Sequence, residues 1–488
     1  MKLRLSDLKK IKFLKDILRL ADNSQIPIYL VGGCLRDCLL SRNREYLDFD
    51  FALSKGSLRF ARRVSHKLNA PFVLLDEPHG VARVVFKNKD LIANLDFSDF
   101  RAASIEDDLG LRDFTVNALA IKLSDIFSKR IKLKQAIIDP CNGVSDLARK
   151  MIRHLSKVSF KDDPLRMLRT FSLSGRLGFR IKESTIELIK KENRLIEKIS
   201  PERIREELFK IFSHKHSSNF IISLEKSGLL VRLIPEIKLM HRLKGGAYHH
   251  LDVWRHSLET LRQLENIIDV SIKKADVRKY LYEEISSFHK RFTLLKFASL
   301  MHDVGKPQTF SSKGEEIHFY GHERIGAKIA ERIGERLRLS LKEIKMLKTL
   351  IYWHLRPGFM ADIQDLSRRA LFRYFRDTGT EAASVALLSL ADQRATRGRL
   401  KRGPDRKSHE QLIRLLLRHY FSKAKKRNKP PFINGHDVIR SLRLKPGPLI
   451  GRILNEVNEA QAEGVLRNKR QALLWAKKFY KKINKLEA

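Results

Sequence analysis

The chain has 488 residues, 43% of them hydrophobic and 32% charged, which excludes a disordered polymer and leaves room for about three domains of ordinary size. Ninety-eight Lys and Arg against 56 Asp and Glu give a formal charge of +42 and a sequence pI near 10.2, which points to a polyanionic partner without saying which. The three cysteines, Cys34, Cys38 and Cys141, form no CxxC pair, which excludes a disulfide framework and a zinc knuckle and fits a reducing compartment. The first 20 residues interleave Lys and Arg with apolar positions and carry Asp7 and Asp16, so no export or transit segment is expected. No apolar run approaches the roughly 20 residues that span a bilayer. A cytoplasmic protein without membrane attachment is the expectation.

To about residue 145, short strand-like segments alternate with helical ones: Ile28–Val31, Asp48–Leu53, Val81–Phe86 and Leu91–Phe97. From about Asp139 the apolar spacing becomes helical, as in Leu165, Leu168, Phe171 and Leu173. Breaks fall at Pro201, at Gly245-Gly246, and at the basic stretches 397–407 and 423–431. An α+β chain is expected: a head with a mixed sheet (1–145), a helical neck (146–225), a helical body (226–425) and a basic helical tail (426–488).

In the head, IYLVGGCLRDCLL reads as a strand, Gly32-Gly33, and a helix opening near Leu35. Paired glycines admit a close ligand, the first helical amides point outward as anion donors, and Arg36 supplies a cation for phosphate. In EYLDFDFAL, Asp48 and Asp50 stand at i and i+2 of a strand, on one face, with Phe49 and Phe51 on the other. Two adjacent carboxylates repel unless a cation joins them, and oxygen ligands with positions left for a triphosphate favour Mg²⁺. Asp96 in NLDFSDF is a candidate third carboxylate for a two-metal site that activates an attacking hydroxyl and steadies leaving pyrophosphate.

GGCLRD (32–37) followed by DFD (48–50) resembles the signature of polymerase β-type nucleotidyltransferases. With DDLGLRDFTVNALA (107–120) the resemblance narrows to the class II tRNA nucleotidyltransferase and bacterial poly(A) polymerase family. Its third motif falls on Asp108, Arg112, Asp113 and Asn117, positions the resemblance associates with the incoming nucleotide and with coupling head to neck. Leu111 stands where many members have a first arginine. KDDPLRMLR (161–169) resembles the fourth motif, which implies base reading by Asp162, Asp163 and Arg166, with Arg169 beside them. The chemistry is sound: a carboxylate accepts from the exocyclic amine of C or A, and Arg166 donates to the adjacent ring acceptor. A uracil would set O4 against the carboxylate. The bland alternative is an i,i+3 surface ion pair. PERIREELFKIF (201–212) reads as a structural helix with Arg203 and Arg205 as possible RNA contacts.

In the body, His256, His302-Asp303 and Asp392, with His322 and His354 between, occur in the order of HD-superfamily phosphohydrolases, which implies a second divalent metal, with Lys306 placed to hold a phosphate. The segment 433–464 resembles the closing segment of HD-bearing members, with a helix start near Gly451 that suits a phosphate of the tRNA elbow. Tyr420, Phe421, Phe479 and Tyr480 lie among lysines and suit an RNA grip.

The resemblance implies a template-independent enzyme that adds C and A from CTP and ATP to an RNA 3′ end, tRNA and full CCA first, with CC-only or A-only addition using nearly the same motifs. A poly(A) polymerase is the nearest rival. An HD phosphohydrolase whose head merely binds nucleotide, and a non-catalytic RNA-binding protein, are the rivals from other classes. The sequence sets no oligomeric state.

Overall fold

The computed structural model describes residues 3–42, 47–88, 92–244, 251–286, 289–313, 316–363, 365–396, 403–423 and 430–484. Gly245-Gly246 and the basic residues 397–402 and 424–429 lie outside them.

The chain divides into two compact units, one of residues 1–214 and 223–233, the other of residues 215–222 and 234–488. The segment expected as a neck therefore folds with the head, except for 215–222.

The first unit is built on seven strands: β1 (Ile28–Val31), β2 (Leu47–Leu53), β3 (Phe72–Asp76), β4 (Val81–Lys87), β5 (Ile92–Asp99), β6 (Ala120–Lys122) and β7 (Ile137–Ile138), in the order β3-β4-β5-β2-β1-β6-β7. Within this sheet, among the described residues, β2 and β5 run parallel and the other pairs are antiparallel. All four expected strands form, within two residues of the expected limits.

Alternation in β2 decides which face does what. Phe49, Phe51 and Leu53 are fully buried, whereas Asp48 is exposed and Asp50 half-buried. On the buried face Phe51 stacks on Phe97 (5.0 Å between centroids), Phe13 meets Phe49 edge-on (5.3 Å), and Phe60 meets Phe97 (5.8 Å). Each such ring stabilises the fold by about 1.5–3 kcal/mol through burial. The carboxylate face is thus backed by a rigid aromatic layer. On the opposite face Val31, Ala52 and Ala120 form a small second core with Ile105 and Leu109.

RDFTVNALA is not a helix. Thr115–Asn117 make one 3₁₀ turn before β6 begins at Ala120. The buried Asp146 carboxylate holds the turn: it accepts from Thr115 Oγ1 (2.6 Å) and from Arg153 Nε (2.7 Å). Helices Arg166–Leu177 and Pro201–Phe212 then pack on one another, with Leu168, Phe171, Leu208 and Phe212 buried and Ser172 Oγ donating to Glu207 between them (2.6 Å).

The second unit is helical around Ala382–Ala395, whose side chains are buried on nearly every side. Its alanines let helices Val253–Ser271, Arg291–Met301 and Leu341–Trp353 come close. Gly435–Leu442, Pro448–Glu463 and Lys469–Asn484 build a separate small core from Val438, Ile453, Val457 and Ala472. The stretch expected to be helical from Asp139 onward is not unbroken: Met151–Ile152 pair with Arg180–Ile181 in the first unit, and Ser311–Lys313 with Glu316–His318 in the second. These short ladders give partners to backbone groups that helices do not serve.

Candidate active site and metal centre

In the first unit a cleft of about 1070 Å³ lies over the polar face of β2 and β5. Its wall includes Gly32, Gly33, Arg36, Asp48, Asp50, Asp96, Arg112, Asp113, Asn117, Asp163, Arg166 and Arg169, so twelve sequence-predicted residues meet in one place. Asp108 is not on the wall. It is buried behind it, where its carboxylate holds Arg101 Nε (3.0 Å) and Arg112 Nη2 (3.3 Å). Burial alone would raise Asp108, but the hydrogen bond from Arg101 and the charge of Arg112 hold it below the usual carboxylate value.

The parallel register sets Asp50 opposite Asp96 and Asp48 opposite Asn94, whose Nδ2 donates to Asp48 Oδ1 (2.8 Å). Three carboxylates therefore share one face. Both oxygens of Asp96, however, accept from Arg83 (2.7 and 2.8 Å), which sits opposite it on β4. Each of these oxygens has a second lone pair for a metal ion, so Asp96, fixed in place by Arg83, adds to the oxygen donors of the Asp48–Asp50 pair that a divalent ion requires.

The turn after β1 explains its glycines. Gly32 has φ +72°, and a Cβ there would lie 3.1 Å from Arg112 Nη1 and 3.2 Å from Asp50 Oδ2. The helix opens at Gly33, two residues before the expected Leu35. It carries Arg36, which is 1% exposed; Nε donates to Asp37 (2.7 Å), Nη1 donates to Asn117 Oδ1, and buried Nη2 has no hydrogen-bond partner among the described residues. An unsatisfied cationic donor in a cleft wall fits an anionic ligand.

From Arg36 a continuous chain of bonds crosses the cleft. Asn117 Nδ2 donates to Asp113 Oδ1 (2.9 Å), and Asp113 Oδ2 pairs with Arg169 (2.8 Å). Burial would raise Asp113, but Arg169, Asn117 and the Phe114 amide keep it ionised below its ordinary value. Asp163 and Arg166 do not form the surface ion pair. Arg166 donates to Leu111 O (2.8 Å) and Ser159 Oγ (3.1 Å), while Asp163 accepts from Arg203 (3.2 Å to each oxygen). Leu111 thus serves through its carbonyl, and Arg101 adds a cation to the same wall. Asp162 is exposed and off the wall. Arg205 pairs with Glu206 (2.9 Å).

Sequence reading missed Arg42, Arg83, Arg101, Arg176 and Lys210 on this wall. Only Arg83 had a signal, a strand cation in cross-strand reach of Asp96; the others are isolated basic residues in a basic chain.

The second unit brings all six expected body residues together. His256 Nε2 lies 2.9 Å from Asp392 Oδ1, and His302 Nε2 3.3 Å from Asp303 Oδ2. His322 and His354 Nε2 approach Asp303 Oδ1 at 3.4 and 3.9 Å. Local backbone fixes the ring orientation. Nδ1 of His302, His322 and His354 each donates to the carbonyl three residues earlier (2.8, 2.8 and 2.6 Å), so Nε2 is left as the acceptor. Among the described residues those three buried Nε2 atoms have no hydrogen-bond partner, the expected state of imidazoles that hold a divalent metal. Burial, then His302 and His322, push His354 down to about 3, so it is neutral at ordinary pH. Lys306 Nζ lies 2.7 Å from Asp303, and a cavity of about 350 Å³ opens beside Asp303, His354 and Asp392.

The tail departs from expectation. The last long helix but one starts at Pro448, not Gly451. Tyr420 and Phe421 pack edge-on against Tyr280 (5.4 and 5.8 Å), and Phe479 and Tyr480 pack on the tail's own core. All four rings are half-buried, so each packs on one side and keeps part of its surface exposed.

Residues 28–153 match the poly A polymerase head domain, residues 178–240 the model described as "Probable RNA and SrmB- binding site of polymerase A", residues 246–397 the HD domain, and residues 414–476 tRNA nucleotidyltransferase domain 2. A CC-adding tRNA nucleotidyltransferase of Synechocystis is 28% identical, over 93% of each chain. An A-adding tRNA nucleotidyltransferase of Deinococcus radiodurans is 29% identical, over 92% of this chain and 95% of that one. Among solved structures, the Thermotoga maritima CCA-adding enzyme complexed with tRNA aligns over 98% of this chain and 99% of that one, at a TM-score of 0.62 and 21% identity. Among the described residues, no helix is long and apolar enough to cross a membrane.

Proposed function

The chain belongs to the family of class II tRNA nucleotidyltransferases and bacterial poly(A) polymerases with a fused HD domain, and from that premise we propose that it adds C and A to the 3′ end of tRNA without a nucleic-acid template. The substrates are CTP and ATP, the full product is CCA, and the compartment is the cytoplasm. The observation that carries the reading is a single cleft that joins a strand carboxylate pair, an unsatisfied buried Arg36 and a separately held Asp163 and Arg166.

Asp48 and Asp50 would hold Mg²⁺, which when bound supplies positive charge to the triphosphate and to the attacking hydroxyl. Arg36 offers its spare Nη2 hydrogens to phosphate oxygens, and Arg112, held by Asp108, adds a fixed cation beside Gly32. The absence of a Cβ at Gly32 lets the triphosphate lie against the backbone. The RNA 3′ hydroxyl attacks the α-phosphate and pyrophosphate leaves in line. Asp163 accepts from the amine of C or A while Arg166 donates to the neighbouring ring atom; U presents no amine and is refused.

Incorporation is tested from CTP alone, ATP alone and both, onto tRNA ending at the discriminator base, at C and at CC, with an unstructured RNA alongside. Ordered addition that stops at CCA is expected. Addition confined to CC or to the terminal A would replace the full product by a partial one, the names carried by the two full-length relatives above. Long A tails on the unstructured RNA would make the chain a poly(A) polymerase and overturn the choice of substrate.

A second reading concerns the body. Three partnerless Nε2 atoms, Lys306 and an open cavity favour a metal-dependent phosphohydrolase that works beside the transferase. His302→Ala is expected to lose bound divalent metal by elemental analysis and hydrolysis of phosphomonoesters, with nucleotide transfer intact. A wild-type protein that binds no metal would overturn it.

A further inference from the structure

Arg203 stands at the third residue of helix Pro201–Phe212, inside its first turn. A cation there opposes the helix dipole, which favours acidic groups at that end, so solvent exposure alone gives no reason for it. Its partner gives one. Arg203 Nη2 reaches both oxygens of Asp163 at 3.2 Å, across 40 residues of sequence. Asp163 has the extended backbone of a residue just past a four-residue helix, φ −145° and ψ 97°, and its own peptide neighbourhood holds only one oxygen: Oδ1 accepts from the Leu165 amide at 3.3 Å. Oδ2 accepts from Arg203 alone among the described residues, and Asp163 lines the cleft. The helix that carries Arg203 is itself seated firmly. Its Glu207, buried on the same face, accepts from Ser172 Oγ at 2.6 Å, and Ile204, Leu208 and Phe212 are buried.

We propose that Arg203 is a positioning residue for base selection, and that it fixes the orientation of Asp163 by holding both carboxylate oxygens from a separate helix. This rests on the reading of Asp163 and Arg166 as the base-reading pair. The reader then has two independent supports, Arg203 behind the acceptor and the Leu111 carbonyl with Ser159 behind the donor. Neither half relies on the other, so a base meets an acceptor and a donor at a fixed separation. A mutual ion pair would instead consume both groups. Arg203 touches no substrate; it acts through Asp163.

The experiment measures kcat and KM for CTP, ATP and UTP on tRNA with wild type, Arg203→Ala, Arg203→Lys, Arg203→Gln and Asp163→Ala, together with tRNA affinity and thermal unfolding. In Arg203→Ala the preference for CTP over UTP should fall about tenfold, chiefly through a higher KM for CTP, with tRNA affinity within about twofold. Arg203→Lys should return part of that preference and Arg203→Gln less, which a packing role would not predict. If Arg203→Ala fails to fold, the Lys and Gln variants carry the test. An unchanged CTP/UTP ratio in the Arg203 variants, with collapse in Asp163→Ala, would overturn the role of Arg203 and leave base reading standing. An unchanged ratio in Asp163→Ala as well would mean that base reading itself is wrong. Equal loss for every nucleotide with weaker tRNA binding would make Arg203 an RNA contact.

Discussion

At Gly32 and Asp50 the cleft tolerates little change. Gly32 holds a left-handed φ of +72°, and its missing side chain leaves the space between Asp50 and Arg112. A Cβ would strain the backbone by about 1–2 kcal/mol and press on both groups. Gly32→Ala is therefore expected to lower nucleotide transfer at least tenfold, read by incorporation on tRNA, and to lower the unfolding temperature by a few degrees. Asp50→Asn keeps volume but removes the charge that a divalent ion needs. Transfer should fall by about a thousandfold or more while thermal stability holds or rises, because the like-charge repulsion with Asp48 goes with it. Retention of activity would remove the strand pair from the metal site. Asp108 illustrates a different kind of residue: it lies in a motif and acts by pinning Arg101 and Arg112 from behind.

Among the elements, the contact between helices Arg368–Thr378 and Pro448–Glu463 offers the clearest pH dependence. Glu459 accepts from Arg369 (2.6 Å), Arg373 (2.7 Å) and Arg376 (2.7 Å), three cations spaced along one helix face. Burial would raise its carboxyl, but bonds from Arg373 and Arg369 and the charge of Arg373 bring it down to about 2. A folded-state value below the unfolded one, about 4.3, stabilises the fold fully above that unfolded value. The contribution fades as pH falls from about 4.3 toward about 2. Glu459→Gln is expected to cost about 1–2 kcal/mol at neutral pH and to flatten the acid limb of stability over that interval. Thermal melts of both proteins at stepped pH read the difference; parallel curves would refute it. Strand β2 shows the same logic in packing: Phe49 and Phe51 bury against Phe13 and Phe97 so that Asp48 and Asp50 are presented without freedom to turn.

For the whole molecule, the charge of +42 predicts how it meets RNA. Each phosphate neutralised releases counterions, so the logarithm of tRNA affinity should fall linearly with the logarithm of salt. Between 50 and 200 mM the loss should be roughly a hundredfold or more. Preference for CTP over UTP is set by short hydrogen bonds inside the cleft and should not follow salt. Filter binding and incorporation across a salt series separate the two. A flat affinity curve would deny the basic residues their role.

The sequence by itself determined the α+β order, the limits of four of the seven sheet strands to within two residues, the face on which Asp48 and Asp50 stand, and the six His and Asp residues that the second unit brings together. Those follow from local rules: alternation along a strand, apolar spacing along a helix, and residue types whose chemistry allows few uses. Only the tertiary structure decided that Asp96 is held by Arg83, that Asp108 stands behind the wall, that Tyr420 and Phe421 pack on Tyr280, and that Arg203 meets Asp163. It also put RDFTVNALA into a turn and a strand, because Asp146 and Arg153 hold Thr115 from a distant segment. Each of these depends on a partner far away along the chain, and with 98 basic residues the sequence gives no way to tell which cation a given carboxylate will find.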